Sequence, residues 1–275
     1  MIAPAWAAAV FGLGLLVGSF LNVCIWRLPA GEQVVRGRSH CRKCGREISW
    51  RDNIPLVSFA LLRGACRQCR APIRWRYPVV ELLTAGVTMA VLHRFGTGPV
   101  GLVYLAFSYA LITVSFIDLE FQIIPDEISL GGLVVGLVLS GLLPSLHGVE
   151  SKWLALGRSA LGVLVGGGVL YGTGVVGDFI FRKESMGGGD IKLLAMAGSV
   201  LGWKPALIAF FLAPLLALLP GLGVLVFKRS HVIPYGPFLA LALVVSLFFG
   251  DQIVRATGVE ETVRFFREYY GWGGT

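Results

Sequence analysis

The chain has 275 residues, 55% of them hydrophobic and 15% charged, with a mean hydropathy of +0.75. A soluble domain carries about 25% charged residues, so a soluble globular enzyme is excluded, and apolar runs that are continuous rather than alternating exclude a β-barrel. A net charge of +8 would suggest nucleic acid for a soluble protein; here it reads as basic residues retained on the cytoplasmic side, and no nucleic-acid partner is expected.

The first predicted span covers about residues 5–27. No basic region precedes it and no small-residue cleavage site follows, so it reads as a retained helix, not a removed signal peptide. The polar loop 28–76 follows and is the one shift in composition. It holds Arg36, Arg38, Arg42, Lys43, Arg46, Arg51, Arg63, Arg67, Arg70, Arg74 and Arg76 against Glu32, Glu47 and Asp52. The positive-inside rule places it in the cytoplasm, as a small domain inserted between the first two spans. Its arginines read as topology signals rather than as a binding surface.

Cys41-Arg-Lys-Cys44 and Cys66-Arg-Gln-Cys69 sit in this loop. Each pair puts two thiolates on one turn, and two such turns close a tetrahedron around Zn2+. Four cysteines leave no open position, so the predicted zinc is structural. A loop of about 50 residues has too small a core to fold unaided, and a metal staple supplies what it lacks. A reducing compartment argues against disulfides, and zinc is preferred to free or redox-active thiols. Cys24, in the first span, reads as a small buried residue.

The second and third spans are predicted at about 77–95 and 98–117, joined by a turn with Gly96, Gly98 and Pro99. The fourth covers about 128–147 and the fifth about 156–181. The sixth begins at Asp190 and ends near Trp203, the seventh runs 204–227 and the eighth 232–250. Pro205, Pro214 and Pro220 are expected to break or tilt helices there. Counting spans puts 118–127, 182–190 and 228–231 on the cytoplasmic side. The tail 251–275 reads equally as an interfacial helix and as a frayed end.

Two acidic stretches reach that boundary. In Met186-Gly187-Gly188-Gly189-Asp190-Ile191-Lys192 a carboxylate opens a membrane helix, where a charge costs a few kcal/mol unless it is near an interface, partnered or wet. A turn with Asp190 as an N-cap explains this stretch equally well by itself. In the other stretch, from Asp118 to Asp126, Asp126 and Glu127 fit the start of a helix. Asp118 ends a helix, where its charge opposes the macrodipole, so it calls for another reason. Glu120 reads as solvated. Two carboxylates brought together at one depth share a proton. One then takes a proton from water while the other polarises a scissile carbonyl, which is aspartic proteolysis. Glu81 and Asp178 are left as structural partners or as groups that tune the pair. His40, His93, His147 and His231 have no metal-ligand spacing and read as polar interface residues. No nucleophile elbow is present and no nucleotide-binding loop.

These residues carry a resemblance. Gly18-Ser19-Phe20-Leu21-Asn22-Val23 with Arg27-Leu28-Pro29, the four cysteines, Ile48-Ser49-Trp50, Asn53-Ile54-Pro55-Leu56 and Arg76-Tyr77-Pro78 with Glu81-Leu82 resemble the bacterial prepilin peptidases. So do Asp118 with Ile124-Pro125-Asp126, and the Gly187–Lys192 block of the Gly-x-Gly-Asp intramembrane aspartyl proteases. The resemblance to this type IV leader peptidase family implies that Asp118 and Asp190 are the catalytic pair. It implies cleavage of a short basic leader after a glycine, at the cytoplasmic face of a bacterial inner membrane. The implied substrates are type IV prepilins and type II secretion pseudopilins, whose apolar segment stays in the lipid. It implies N-methylation of the new N-terminus with S-adenosylmethionine as donor. No residue is assigned to that cofactor. Many relatives have a lysine between Gly64 and Cys66, where this chain has Ala65.

The expected organisation is an all-α polytopic membrane protein of about eight helices: 1–27 the first helix, 28–76 a zinc-binding insert implied to hold the methyltransferase region, 77–250 an aspartic peptidase domain, and 251–275 a tail. The alternatives are a cation-coupled secondary transporter with a broken helix at the glycine–aspartate stretch, and a noncatalytic scaffold that recruits partners through the zinc loop.

Overall fold

The computed structural model describes residues 4–183, 186–228 and 234–257, with the backbone alone for Pro4, residue 219 and residues 224–228. The predicted tail therefore lies largely outside the described residues, as does His231. The chain divides into two compact units, Met1–Gly132 and Leu133–Thr275.

In the first unit α1 (Pro4–Arg27) lies against α3 (Arg76–Phe95), and α4 (Pro99–Phe121) packs on both. Glycines set the closeness of α1 to α3. A Cβ at Gly14 would stand 2.6 Å from the Ala85 Cα, and one at Gly18 2.7 Å from the Glu81 Cα. Small residues at such a seam let backbones approach where water offers no hydrophobic drive. Leu21, Ile25, Val80, Ile112 and Ile117 fill the core beside it, and Cys24 is buried as expected. Gly96, in a positive-φ conformation only glycine adopts freely, ends α3, and Pro99 opens α4.

The insert between α1 and α3 is mostly irregular, with one short helix, α2 (Val57–Leu61). Its arginines do more than set topology. The Arg27 guanidinium, buried at the end of α1, donates to the carbonyls of Gln33, Val34, Arg36, Gly37 and Arg38 and so fixes the chain's exit from the membrane. Arg42 stacks 3.4 Å above the Trp26 ring. Arg67 grips Asp52 through both carboxylate oxygens.

In the second unit α6 (Lys152–Phe181) and α7 (Gly188–Leu201) are the most intimate pair, with α8 (Trp203–Lys228) and α9 (Gly236–Ala256) alongside. α5 (Asp126–Leu142) carries the boundary between the units. The Ser140 and Ser159 hydroxyls both donate to the Ser199 carbonyl, at 3.2 and 2.7 Å. α8 covers the expected seventh span and runs as one helix through Pro214 and Pro220.

Six described helices, α1, α3, α4, α6, α8 and α9, are long and apolar enough to cross a membrane. The other two expected spans exist as helices but are shorter: α5 has 17 residues and α7 has 14. At about 1.5 Å per residue α7 reaches about 21 Å, short of a hydrocarbon core of about 30 Å. Of the eight expected spans, six are helices of full spanning length among the described residues.

Candidate active site and metal centre

Asp118 lies in the last turn of α4, buried to 7% exposure. Gln122 follows in a left-handed C-cap and donates its N–H to the Asp118 carbonyl, so the helix ends just past the acid. Glu120, expected to be solvated, is not. It accepts Arg76 at 2.6 Å and Arg74 at 3.3 Å. Those two guanidinium groups balance the half-sheltered carboxylate. Asp126 is the first residue of α5, and Ile128 and Ser129 donate to the Pro125 carbonyl before it.

Asp190 lies in the second unit, in the first turn of α7. Its N–H donates to the Gly187 carbonyl at 3.1 Å, and the acid stands at the positive end of the helix. Gly187 makes room for it: a Cβ there would stand 3.0 Å from the Asp190 Oδ2. Tyr235, just before α9, is a neighbour the sequence did not single out. Burial, and then the charge of Asp190, push its phenol up to about 12. The phenol thus stays a hydrogen-bond donor across physiological pH. Its only sequence signal is its place between Pro234 and Gly236-Pro237. Asp178, near the end of α6, is exposed.

The four cysteines come together in the first unit. Their sulfurs all lie within 4.8 Å of one another, and those of Cys41 and Cys69 are 3.8 Å apart. Four sulfurs about 2.3 Å from one tetrahedral ion stand about 3.8 Å apart, so the donor set fits Zn2+. The two turns repeat one hydrogen-bond pattern. Cys41 donates to the Arg46 carbonyl and Gly45 to that of Cys41; Cys66 donates to the Ala71 carbonyl and Arg70 to that of Cys66. An isolated bridge closes each turn, His40 with Glu47 and Ala65 with Pro72. The backbone N–H groups of Cys44 and Lys43 hold the Cys41 thiol down to about 6, which readies it as a thiolate ligand.

A cavity of about 860 Å3 opens between this insert and the adjoining ends of α1 and α3. Trp26, Tyr77 and Phe59 give it aromatic faces, and Ser19, Asn22 and Glu81 line its membrane end. Glu81 is 7% exposed and accepts the Leu56 backbone N–H at 2.9 Å.

Comparison with known proteins decides the family. The type IV leader peptidase family matches residues 105–222, and the bacterial peptidase A24 N-terminal domain matches residues 13–95. The chain belongs to the type IV leader peptidase family. It is 36% identical over 273 residues to a prepilin leader peptidase/N-methyltransferase of Aeromonas hydrophila, covering 90% of this chain and 91% of that one. The protein of the same name from Pseudomonas aeruginosa is 35% identical over 269 residues, 88% of this chain and 90% of the relative. That of Myxococcus xanthus is 40% identical over 204 residues, 74% of this chain and 58% of the relative. No solved structure matches. This leader peptidase family membership leaves the transporter reading of the glycine–aspartate stretch without support.

Proposed function

We propose that the chain is a membrane aspartic endopeptidase. It removes the basic leader from type IV prepilins and from type II secretion pseudopilins at the cytoplasmic face of the inner membrane, then N-methylates the new N-terminus. The observation that carries this is the family match along most of the chain, joined to two acids at helix ends, Asp118 closing α4 and Asp190 opening α7. In this reading the pair holds one proton between them. The ionised carboxylate takes a proton from the attacking water, and the protonated one polarises the scissile carbonyl. The substrate's apolar segment remains as a helix among lipid. Residues 77–250 carry this chemistry, and 28–76 with the ends of α1 and α3 carry methyl transfer.

Cys41, Cys44, Cys66 and Cys69 would hold a structural Zn2+ that stiffens the insert above the cavity. S-adenosylmethionine would supply an electrophilic methyl group. The cavity suits such a ligand in size, since small-molecule pockets run to about 300–1,000 Å3, and its aromatic faces suit a purine ring. Ala65 is next in the chain to Cys66, which lines the cavity.

The experiment is cleavage of a pilin precursor by purified wild-type, Asp118→Asn and Asp190→Asn proteins, with a labelled methyl donor and mass measurement of the product. Each variant is expected to lose cleavage while keeping its melting temperature. Full processing by either variant overturns the catalytic assignment.

A further inference from the structure

The membrane end of the first unit's cavity is built from hydrogen-bond acceptors. Asn22, 2% exposed, spends its amide nitrogen on the carbonyls of Gly18 and Tyr77, at 3.3 and 3.1 Å. That fixes which end of the amide is which. Its Oδ1 is left buried with no hydrogen-bond partner. One helical turn away in the packed pair lies Glu81, hydrogen-bonded by Ser19 and by the Leu56 N–H. Among the described residues no ion pair reaches Glu81. The arginines around the same cavity already have work: Arg27 on five carbonyls, Arg42 on Trp26, Arg46 on Gln68, Arg51 on Trp50, Arg67 on Asp52, Arg74 on Glu120.

A buried carboxylate without a counter-charge is costly, and an orphaned buried acceptor adds to the cost. A ligand that brings positive charge and several N–H donors removes both. Leu56 adds a second sign of a built site. It is held at φ 58, a conformation that L residues adopt at a cost, and its N–H points at Glu81.

We propose that Glu81, Asn22 and Ser19 form a binding site for a primary ammonium group at the membrane end of this cavity. Two groups of that chemistry enter the proposed reaction: the free N-terminus of the cleaved substrate, and the amino-acid end of the methyl donor. The naming of these two sources rests on the methyl-transfer reading above. The site itself rests on the acceptors.

The test is calorimetric titration of the purified full-length protein and of its Glu81→Gln variant. One pair of ligands is a mature pilin N-terminal peptide with a free or an acetylated amine. The other is S-adenosylhomocysteine and methylthioadenosine, which lacks the amino-acid end. Glutamine still accepts the Leu56 N–H, so the variant removes charge and keeps that contact. In the wild type, one pair is expected to differ by about tenfold or more in favour of the amine, and Glu81→Gln to erase the difference. The pair that responds names the source. If neither amine matters, or if Glu81→Gln keeps the preference, the site is overturned. Should the variant fail to fold, the wild type decides. A hydrophobic carbodiimide labels Glu81, read by mass spectrometry, and the ammonium ligand must slow that labelling while its amine-free counterpart does not. Amine binding at Glu81 without any methyl transfer to the peptide would overturn the methyltransferase reading and leave the site standing. Transfer with unaltered binding in Glu81→Gln would do the reverse.

Discussion

Gly162 of α6 and Gly198 of α7 face each other so closely that a Cβ on either would overlap the other's carbonyl. Gly166 repeats the contact one turn further on, against the Leu194 carbonyl. This seam fixes α7 and therefore the helix start that carries Asp190. Substituting Gly198→Val is expected to destabilise the protein by about 1–3 kcal/mol or more through overpacking. Gly157→Ala, on α6 with nothing within 4 Å of the added carbon, is expected to be silent. Melting temperatures in detergent check both, and equal effects would refute the seam.

Gly187 bears on the acid directly. Its φ of −69° suits any residue, so alanine there costs the backbone nothing. The new carbon, 3.0 Å from the Asp190 Oδ2, forces the carboxylate to give by a few tenths of an ångström. Displacements of that order at a reacting group cost about tenfold in rate. Gly187→Ala is thus expected to lower kcat for leader cleavage while the melting temperature stays. An unchanged kcat would mean that the position of Asp190 is not limiting.

The cysteine cluster is expected to bind one zinc per chain. Metal analysis of the purified protein gives the stoichiometry. Cysteine binds metal as thiolate, and Cys41 is the thiol held lowest, at about 6. Protons compete with the metal for the sulfurs, so the metal is expected to be released on acidification. Cys41→Ser and Cys66→Ser are expected to abolish binding and to open the insert to protease. An insert equally resistant after verified metal loss would rule out a stapling role.

Gly45 and Arg70 hold the same place in the two turns, at φ 70 and φ 60. A side chain in that left-handed region costs about 1–2 kcal/mol. Glycine gives back about 0.5–1 kcal/mol of that through the entropy of the unfolded chain. Arg70→Gly is therefore expected to leave the insert as stable as before or slightly more so, and Gly45→Val to weaken it. Chelator competition on the two variants gives the order, and the reverse order would refute the equivalence of the turns.

His147, in the connection between α5 and α6, bonds Ser140 at 2.8 Å, and Arg158 holds its carbonyl. Burial lowers the pKa of its imidazole, and the Arg158 charge adds to that. The unfolded chain then takes up the proton first as pH falls. The contribution of neutral His147 is fully present above about pH 6.5 and is lost as pH falls through the lowered folded value. His147→Gln is expected to flatten the decline of melting temperature between pH 7 and pH 5. An identical decline in the variant would assign it to other groups.

The sequence by itself determined the class of the molecule, the order of its helices and the pairing of the cysteines on two turns. Those properties are local. A long apolar run must satisfy its backbone as a helix in lipid, paired cysteines must share a turn, and an acid at a helix end stands out against the apolar residues around it. The bounds of α1, α3 and α4 were legible for the same reason. What only the tertiary structure decided is who meets whom. Glu120 looked free until Arg74 and Arg76, more than forty positions earlier, were brought onto it. Glu81 looked like an isolated charge in a span until Gly18 drew α1 close enough to set Ser19 and Asn22 beside it. Such encounters depend on the packing of backbones at glycine seams. A glycine reads the same in a sequence whether it faces a neighbouring helix or nothing at all.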